Sequence, residues 1–102
     1  MMSITSAFTD NNEVLVISVK GAFDFSMLND FRQAYSCDMD KSTKVVIDMR
    51  DTTSINSSAL GMLLNMQRFL EKEDGEIEII NCNQVVEKIF NITHFNKKFR
   101  IE

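Results

Sequence analysis

Between residues 44 and 72 the chain passes from a short unbroken apolar run, Val45, Val46 and Ile47, through a polar stretch at residues 50–55, to apolar positions of helical period. Placed at ~100° steps, Ala59, Met62, Leu63, Met66, Phe69 and Leu70 gather on one arc, while Asn65, Arg68, Glu71 and Lys72 fall opposite. The pattern predicts a buried strand, a polar turn and a long amphipathic helix whose core face is that arc. Asn56, Ser57 and Ser58 stand at its start, each able to accept a hydrogen bond from the orphan N–H groups there. Gly75 marks the expected end of the helix.

Upstream, residues 3–9 read as a strand, Asp10, Asn11 and Asn12 favour a turn, and residues 13–19 are nearly all β-branched or apolar, so the two segments predict a hairpin. Gly21 is expected to break the second strand. Asp24 or Ser26 can cap a helix in which Met27, Leu28, Phe31, Ala34 and Tyr35 keep helical spacing. A polar connection at residues 37–43 leads into the central segment. Beyond it, residues 76–81 predict a strand, Asn83 can cap a last helix carrying Val85, Val86, Ile89 and Phe90, and residues 93–102 fit a short extra strand or an ordered tail. The order β-β-α-β-α-β-α predicts a single α/β domain over residues 1–102, a mixed sheet with helices packed on it and right-handed crossovers between parallel strands. In such sheets ligands and partners meet the loops leaving the C-terminal strand ends, where residues 51–57 are expected to lie.

The polar side of the central helix carries its own pattern. Ser57, Gly61, Leu64 and Arg68 follow i, i+4, i+7 and i+11 and form a ridge turned away from the predicted core. A glycine inside a helix costs about 1 kcal/mol against alanine, and a small residue beside an apolar one that the core does not need suits close docking of another chain. The alternative is that Gly61 passes near a loop and Leu64 is an ordinary surface leucine.

Composition narrows the function classes. A net charge of −4, with no basic cluster beyond Lys97, Lys98 and Arg100, gives no electrostatic footprint for nucleic acid. At 102 residues and 44% hydrophobic content there is material for one core and no second domain. No apolar run reaches the ~18–20 residues of a membrane span, and the N-terminal residues lack the order of a secretory signal, so a cytoplasmic protein is expected. Cys37 and Cys82 fit reduced structural thiols. With one histidine, His94, and neither a CxxC nor an HExxH motif, no metal or other cofactor is expected.

Three chemistries place serines at a strand-to-helix turn. Nucleophilic catalysis needs a base, but the only imidazole is in the tail and the G-x-S-x-G elbow is missing, so the chain is not expected to be an enzyme. Phosphate binding by the helix N-terminus would ordinarily bring a Gly-rich cradle or a Lys followed by Ser/Thr to the turn, and residues 50–58 contain neither. Phosphorylation of Ser57 itself would add ~ −1.5 to −2 charge, which a helix N-terminus tolerates while a docking ridge beside it changes. The plain alternative is that both serines serve only as caps.

The segment VVIDMRDTTSINSSALGMLL resembles the signature of STAS domains of the anti-sigma factor antagonist type, in which a strand leads into an Asp-Ser-Ser/Thr-Gly/Ala-Leu-Gly turn and helix. GAFDF at residues 21–25 is similar to the Gly-x-x-Asp segment of that family, and the element order agrees, so the resemblance covers essentially the whole chain. It implies a STAS-like fold and a switch in partner-switching signalling. The unmodified domain would bind a serine kinase/anti-sigma factor of the histidine-kinase-like ATPase fold, that kinase would phosphorylate the first serine of the motif, and a metal-dependent serine phosphatase would reverse it. Carried over by position, the acceptor is Ser57; Asn56, Ser58, Gly61, Leu64 and Arg68 form the partner-binding face, and Asp24 shares its rim. Asn56 stands where the family usually has Asp, which removes a negative charge beside the acceptor. Two other readings follow from the same resemblance: a non-switching scaffold subunit of a larger complex, for example with a lipid-transport ATPase, and a nucleotide-binding STAS module.

Overall fold

The computed structural model describes residues 3–9, 11, 13–36, 39 and 42–102. Along the chain come β1 (Ile4–Thr9), β2 (Val14–Val19), β3 (Gly21–Phe23), α1 (Leu28–Tyr35), β4 (Lys44–Asp48), β5 (Thr52–Ile55), α2 (Ser57–Phe69), β6 (Ile77–Ile80), α3 (Gln84–Ile92) and β7 (Arg100–Ile101). The main sheet has the order β1-β2-β4-β6-β7. β1 and β2 form the expected antiparallel hairpin, and each later neighbour is added in parallel. Asn11, in the hairpin turn, is left-handed at φ 57°; Asp10 and Asn12 lie outside the described residues.

Period and burial agree where the pattern was strongest. In β2, Leu15, Ile17 and Val19 are buried and the residues between them half-buried. The register sets Leu15, Val45 and Ile77 in one row and Ile17, Ile47 and Ile79 in the next. These rows belong to the same buried cluster as Phe31 of α1, Met62, Leu63 and Met66 of α2, and Phe90 of α3. Every parallel step crosses the sheet in one direction, so right-handed connections bring the helices to one face. On the other face Val16, Val46, Glu78 and Arg100 align, and Glu78 takes ion pairs from Lys44 at 3.3 Å and Arg100 at 3.6 Å.

Several expectations need correction. Residues 52–55 are not a turn: Thr52–Ile55 is β5, paired in parallel with β3 as a separate two-stranded sheet. Gly21, at φ 89°, opens β3 rather than simply ending β2. α2 stops at Phe69, well before Gly75, because Glu71 turns left-handed at φ 54°. The N–H of Lys72 then reaches the Gln67 carbonyl and that of Glu71 the Arg68 carbonyl, a Schellman closure built without glycine. Phe69, placed on the core arc by period, is 63% exposed, and Leu70 is half-buried.

The tail is ordered by aromatic packing. Phe95 stacks between Phe90 and Phe99 at centroid distances of 5.8 and 5.6 Å, which brings residues 100–101 alongside β6 as β7. Cys82 is half-buried and reduced, and burial, with Glu87 nearby, pushes its thiol up to about 11. Cys37 lies outside the described residues.

Asn83 ties α3 to the small sheet. Its side-chain oxygen accepts from the Val86 N–H at 2.8 Å, and its amide donates to the Thr52 carbonyl at 3.0 Å. Asn83→Ala loses both bonds and is expected to lower stability by about 1–2 kcal/mol in urea unfolding, whereas Asn83→Asp keeps the cap and loses less. Equal stability of all three proteins would show that the bridge contributes nothing.

Candidate functional site

The site is assembled by the pairing of two short strands. In the β3–β5 ladder Phe23 lies opposite Ile55, so the next residues along each strand, Asp24 and Asn56, emerge side by side on one rim. Each begins a helical segment. The Asp24 carboxylate accepts from the Ser26 N–H at 2.9 Å and from the Ser26 hydroxyl, capping a 3-10 turn at Phe25–Met27 that runs into α1. Those hydrogen bonds from Ser26 hold the Asp24 carboxyl below its usual value of 3.8, so the rim carries a full negative charge at neutral pH.

Asn56 has extended backbone, and its side-chain oxygen accepts from the Ala59 N–H at 3.1 Å. Of the three residues that could cap α2, the structure uses Asn56. Ser57 becomes the first helical residue and is exposed; Ser58, next along, is half-buried. Ser57 thus stands where free N–H groups and the helix dipole favour negative charge.

The proposed ridge does not hold together along its length. Ser57, Gly61 and Arg68 are exposed, but Leu64 is half-buried and packs against the core cluster. Leu64 sits with Gln67, Arg68, Lys72 and Lys98 in a shallow groove of about 290 Å³. Ser58 and Gly61 border a different, larger groove of about 450 Å³ between α1 and α2, lined also by Phe25, Leu28, Arg32 and Phe69. The reason is angular: a helix of 3.6 residues per turn carries positions 61 and 64 to opposite sides of the ridge line.

Two exposed aromatics border the larger groove, Phe25, to which no periodic pattern gives a role, and Phe69, which its spacing assigned to the core face. Phe25 is 65% exposed on its 3-10 turn, and Phe69, at the last turn of α2, meets Tyr35 edge-on at 5.5 Å while remaining largely open to solvent. Gly61 lines the same groove with an unoccupied side-chain direction: beyond its own helix turn, a Cβ there would meet no atom within 4 Å. No loop passes over this glycine, so its helix-propensity cost has no compensation within the described residues.

Among the described residues no group of three or more His, Cys, Asp or Glu could hold a metal ion. His94 is exposed at a left-handed turn after α3 and does not line the α1–α2 groove. No helix among the described residues is long and apolar enough to cross a membrane.

Comparison with known proteins adds the family context. A model of the STAS domain matches residues 6–102. A STAS-domain-containing protein of Pseudomonas aeruginosa strain UCBPP-PA14 is 37% identical over 100 residues, spanning 98% of this chain and 99% of that protein. An anti-sigma factor antagonist from Mycobacterium paratuberculosis superposes with a TM-score of 0.72 at 24% identity, over 97% of this chain and 85% of its own. A candidate anti-sigma factor antagonist from Thermotoga maritima gives 0.76 at 16% identity, over 96% and 84%, and the antagonist SpoIIAA in its unphosphorylated form gives 0.59 at 18% identity, over 87% and 82%. These three likenesses establish the shared fold.

The empty space at Gly61 makes a direct prediction. Gly61→Ala is expected to raise the stability of the isolated chain by about 0.5–1 kcal/mol in urea unfolding. A loss of stability would mean that Gly61 answers an internal packing need.

Proposed function

This chain belongs to the STAS-domain family, and from that premise we propose that it is a non-enzymatic phospho-switch of the anti-sigma factor antagonist kind, acting in a bacterial cytoplasm. In the unmodified state the rim of Asp24 and Asn56, the start of α2 and the α1–α2 groove receive a serine kinase/anti-sigma factor of the histidine-kinase-like ATPase fold. Phosphorylation of Ser57 by that kinase releases the partner, and a metal-dependent serine phosphatase restores binding.

The observation that carries this reading is Gly61. A helix keeps its poorest residue short of proline at an exposed position, with open space in place of a side chain, one turn from an exposed serine and beside a groove flanked by two exposed aromatics. Close approach of a second chain gives that glycine a purpose, and aromatic residues are the usual anchors of such contacts. Ser58 and Gly61 would form the floor of the contact, Phe25 and Phe69 its walls, and Arg32 a cation for a carboxylate on the partner. Arg68 and Leu64 would meet the partner only at the outer edge.

Phosphate on Ser57 fits the same reading physically. The N-terminus of α2 accommodates a dianion, so the fold persists. The rim already carries the Asp24 carboxylate, and a partner closing over both charges would have to desolvate them. Asn56 retains the capping role that Asp would fill, leaving Ser57 presented on an ordered first turn.

Ser57→Ala is expected to unfold at about the same urea concentration as the wild type and Ser57→Asp at the same or a slightly higher one. Against the kinase captured from native cells on the immobilised wild-type chain, Ser57→Asp is expected to lose about 2–5 kcal/mol of binding by titration calorimetry. Ser57→Ala should bind but take up no phosphate from ATP. Equal affinity of wild type and Ser57→Asp would remove the switch, and stable co-purification without phosphate uptake would favour the scaffold reading.

A further inference from the structure

The main sheet ends in two unlike edges. At one, β7 has two residues, and Arg100 is paired with Glu78; a short, charged edge discourages further pairing. At the other, β1 runs for six residues, Ile4 to Thr9, with no charge and no proline. Its register with β2 is unbroken over all six positions, so no bulge twists it away. Thr5, Ser6, Ala7, Phe8 and Thr9 are all exposed, so no described element covers this edge.

The ladder identifies which groups are unused. The Lys20 N–H donates to the Ser3 carbonyl at 2.7 Å, making these two a hydrogen-bonded pair. Alternation along an antiparallel ladder turns the backbone groups of Thr5, Ala7 and Thr9 toward β2 and those of Ile4, Ser6 and Phe8 outward. The outward set shares one parity, which is what a two-fold antiparallel pairing of a strand with itself requires.

We propose that β1 pairs with β1 of a second copy, antiparallel about a two-fold axis at Ser6, to join two five-stranded sheets into one of ten. In this register Ser6 lies opposite Ser6, and Ile4 lies opposite Phe8 of the second copy, each as a hydrogen-bonded pair. Side chains at even positions then stay on the helix side of both sheets. Phe8, 38% exposed in the single chain, comes against Ile4 and the groove of about 410 Å³ that Ile4, Ser6, Asp30, Gln33 and Ala34 form between β1 and α1. A second copy fits better than a foreign strand because the pairing is self-complementary: the uncharged strand sets no like charges opposite each other, and its own phenylalanine fills its own groove. The isologous contact also closes, giving a dimer and not a fibre. Six residues a side bury well under the ~1,600 Å² of a standard interface, so the dimer is weak. It leaves the Ser57 rim untouched and does not depend on the switch reading.

Sedimentation equilibrium of the full chain from about 10 μM to about 1 mM, a range suited to weak association, is expected to show a reversible monomer–dimer equilibrium. Ser6→Lys, which sets two ammonium groups against each other on the axis, and Phe8→Ala, which empties the groove, each weaken dimerisation at least ten-fold while the monomer unfolds as a cooperative unit. A chain that stays monomeric throughout, or either folded variant dimerising as the wild type does, overturns the proposal.

Discussion

A two-stranded sheet has little stability of its own in water, yet the arrangement of the candidate rim depends on one, the parallel ladder between three-residue β3 and four-residue β5. Its surroundings hold it. The Thr52 hydroxyl donates to the Val19 carbonyl at 2.7 Å in a buried contact, the Gly21 N–H reaches the Asp51 carbonyl at 2.9 Å, and Asn83 reaches Thr52 from the start of α3. Phe23 and Ile55, the last residues of the two strands, are buried in the common core. The small ladder is thus pinned to the main sheet at one end and to the core at the other, and the two helix-starting turns leave it together.

The same construction separates the stability of α2 from its presentation of Ser57. Ala59, Met62, Leu63 and Met66 supply the buried face, and Gln67, also buried, donates to Asp74 at 3.1 Å near the C-terminal end. The first turn is capped by the Asn56 side chain. A charge placed on Ser57 therefore meets the end of a helix already held by its other face, where the dipole is favourable. In this account the modification acts on what can approach the helix, and no conformational change within the chain is required. Gly61 fits this division: its absent side chain serves neither the core nor the helix.

Much of the architecture was legible because period-two and period-3.6 patterns report burial directly. The hairpin follows from β-branched runs either side of turn residues, the central parallel strands from short apolar runs, and the core face of α2 from Ala59 to Met66 from helical spacing, while the resemblance carried the family. What escaped did so for identifiable reasons. β3 and β5 are too short for either period to register, and in β5 only the end residues, Thr52 and Ile55, turn inward. Phe69 keeps helical spacing, but in the last turn of α2 its ring meets Tyr35 of α1 at the groove and stays exposed, a contact that spacing within one helix does not contain. Leu64 keeps its ridge spacing while packing in part against the core cluster, a contact that positions counted along one helix do not reveal. The premature end of α2 rests on a left-handed Glu71, a residue with no sequence preference for that role. The groove between α1 and α2 required two helices to be placed against each other, which no single-segment pattern contains.

The central claim, that Ser57 is a phosphate acceptor governing a docking face, is tested most directly by intact-protein mass spectrometry with site mapping on the chain recovered from its native cells. The account predicts a population heavier by one phosphate, located at Ser57, whose share changes with growth conditions. Protein that is unmodified under every condition, or that carries its phosphate at another residue, would contradict it.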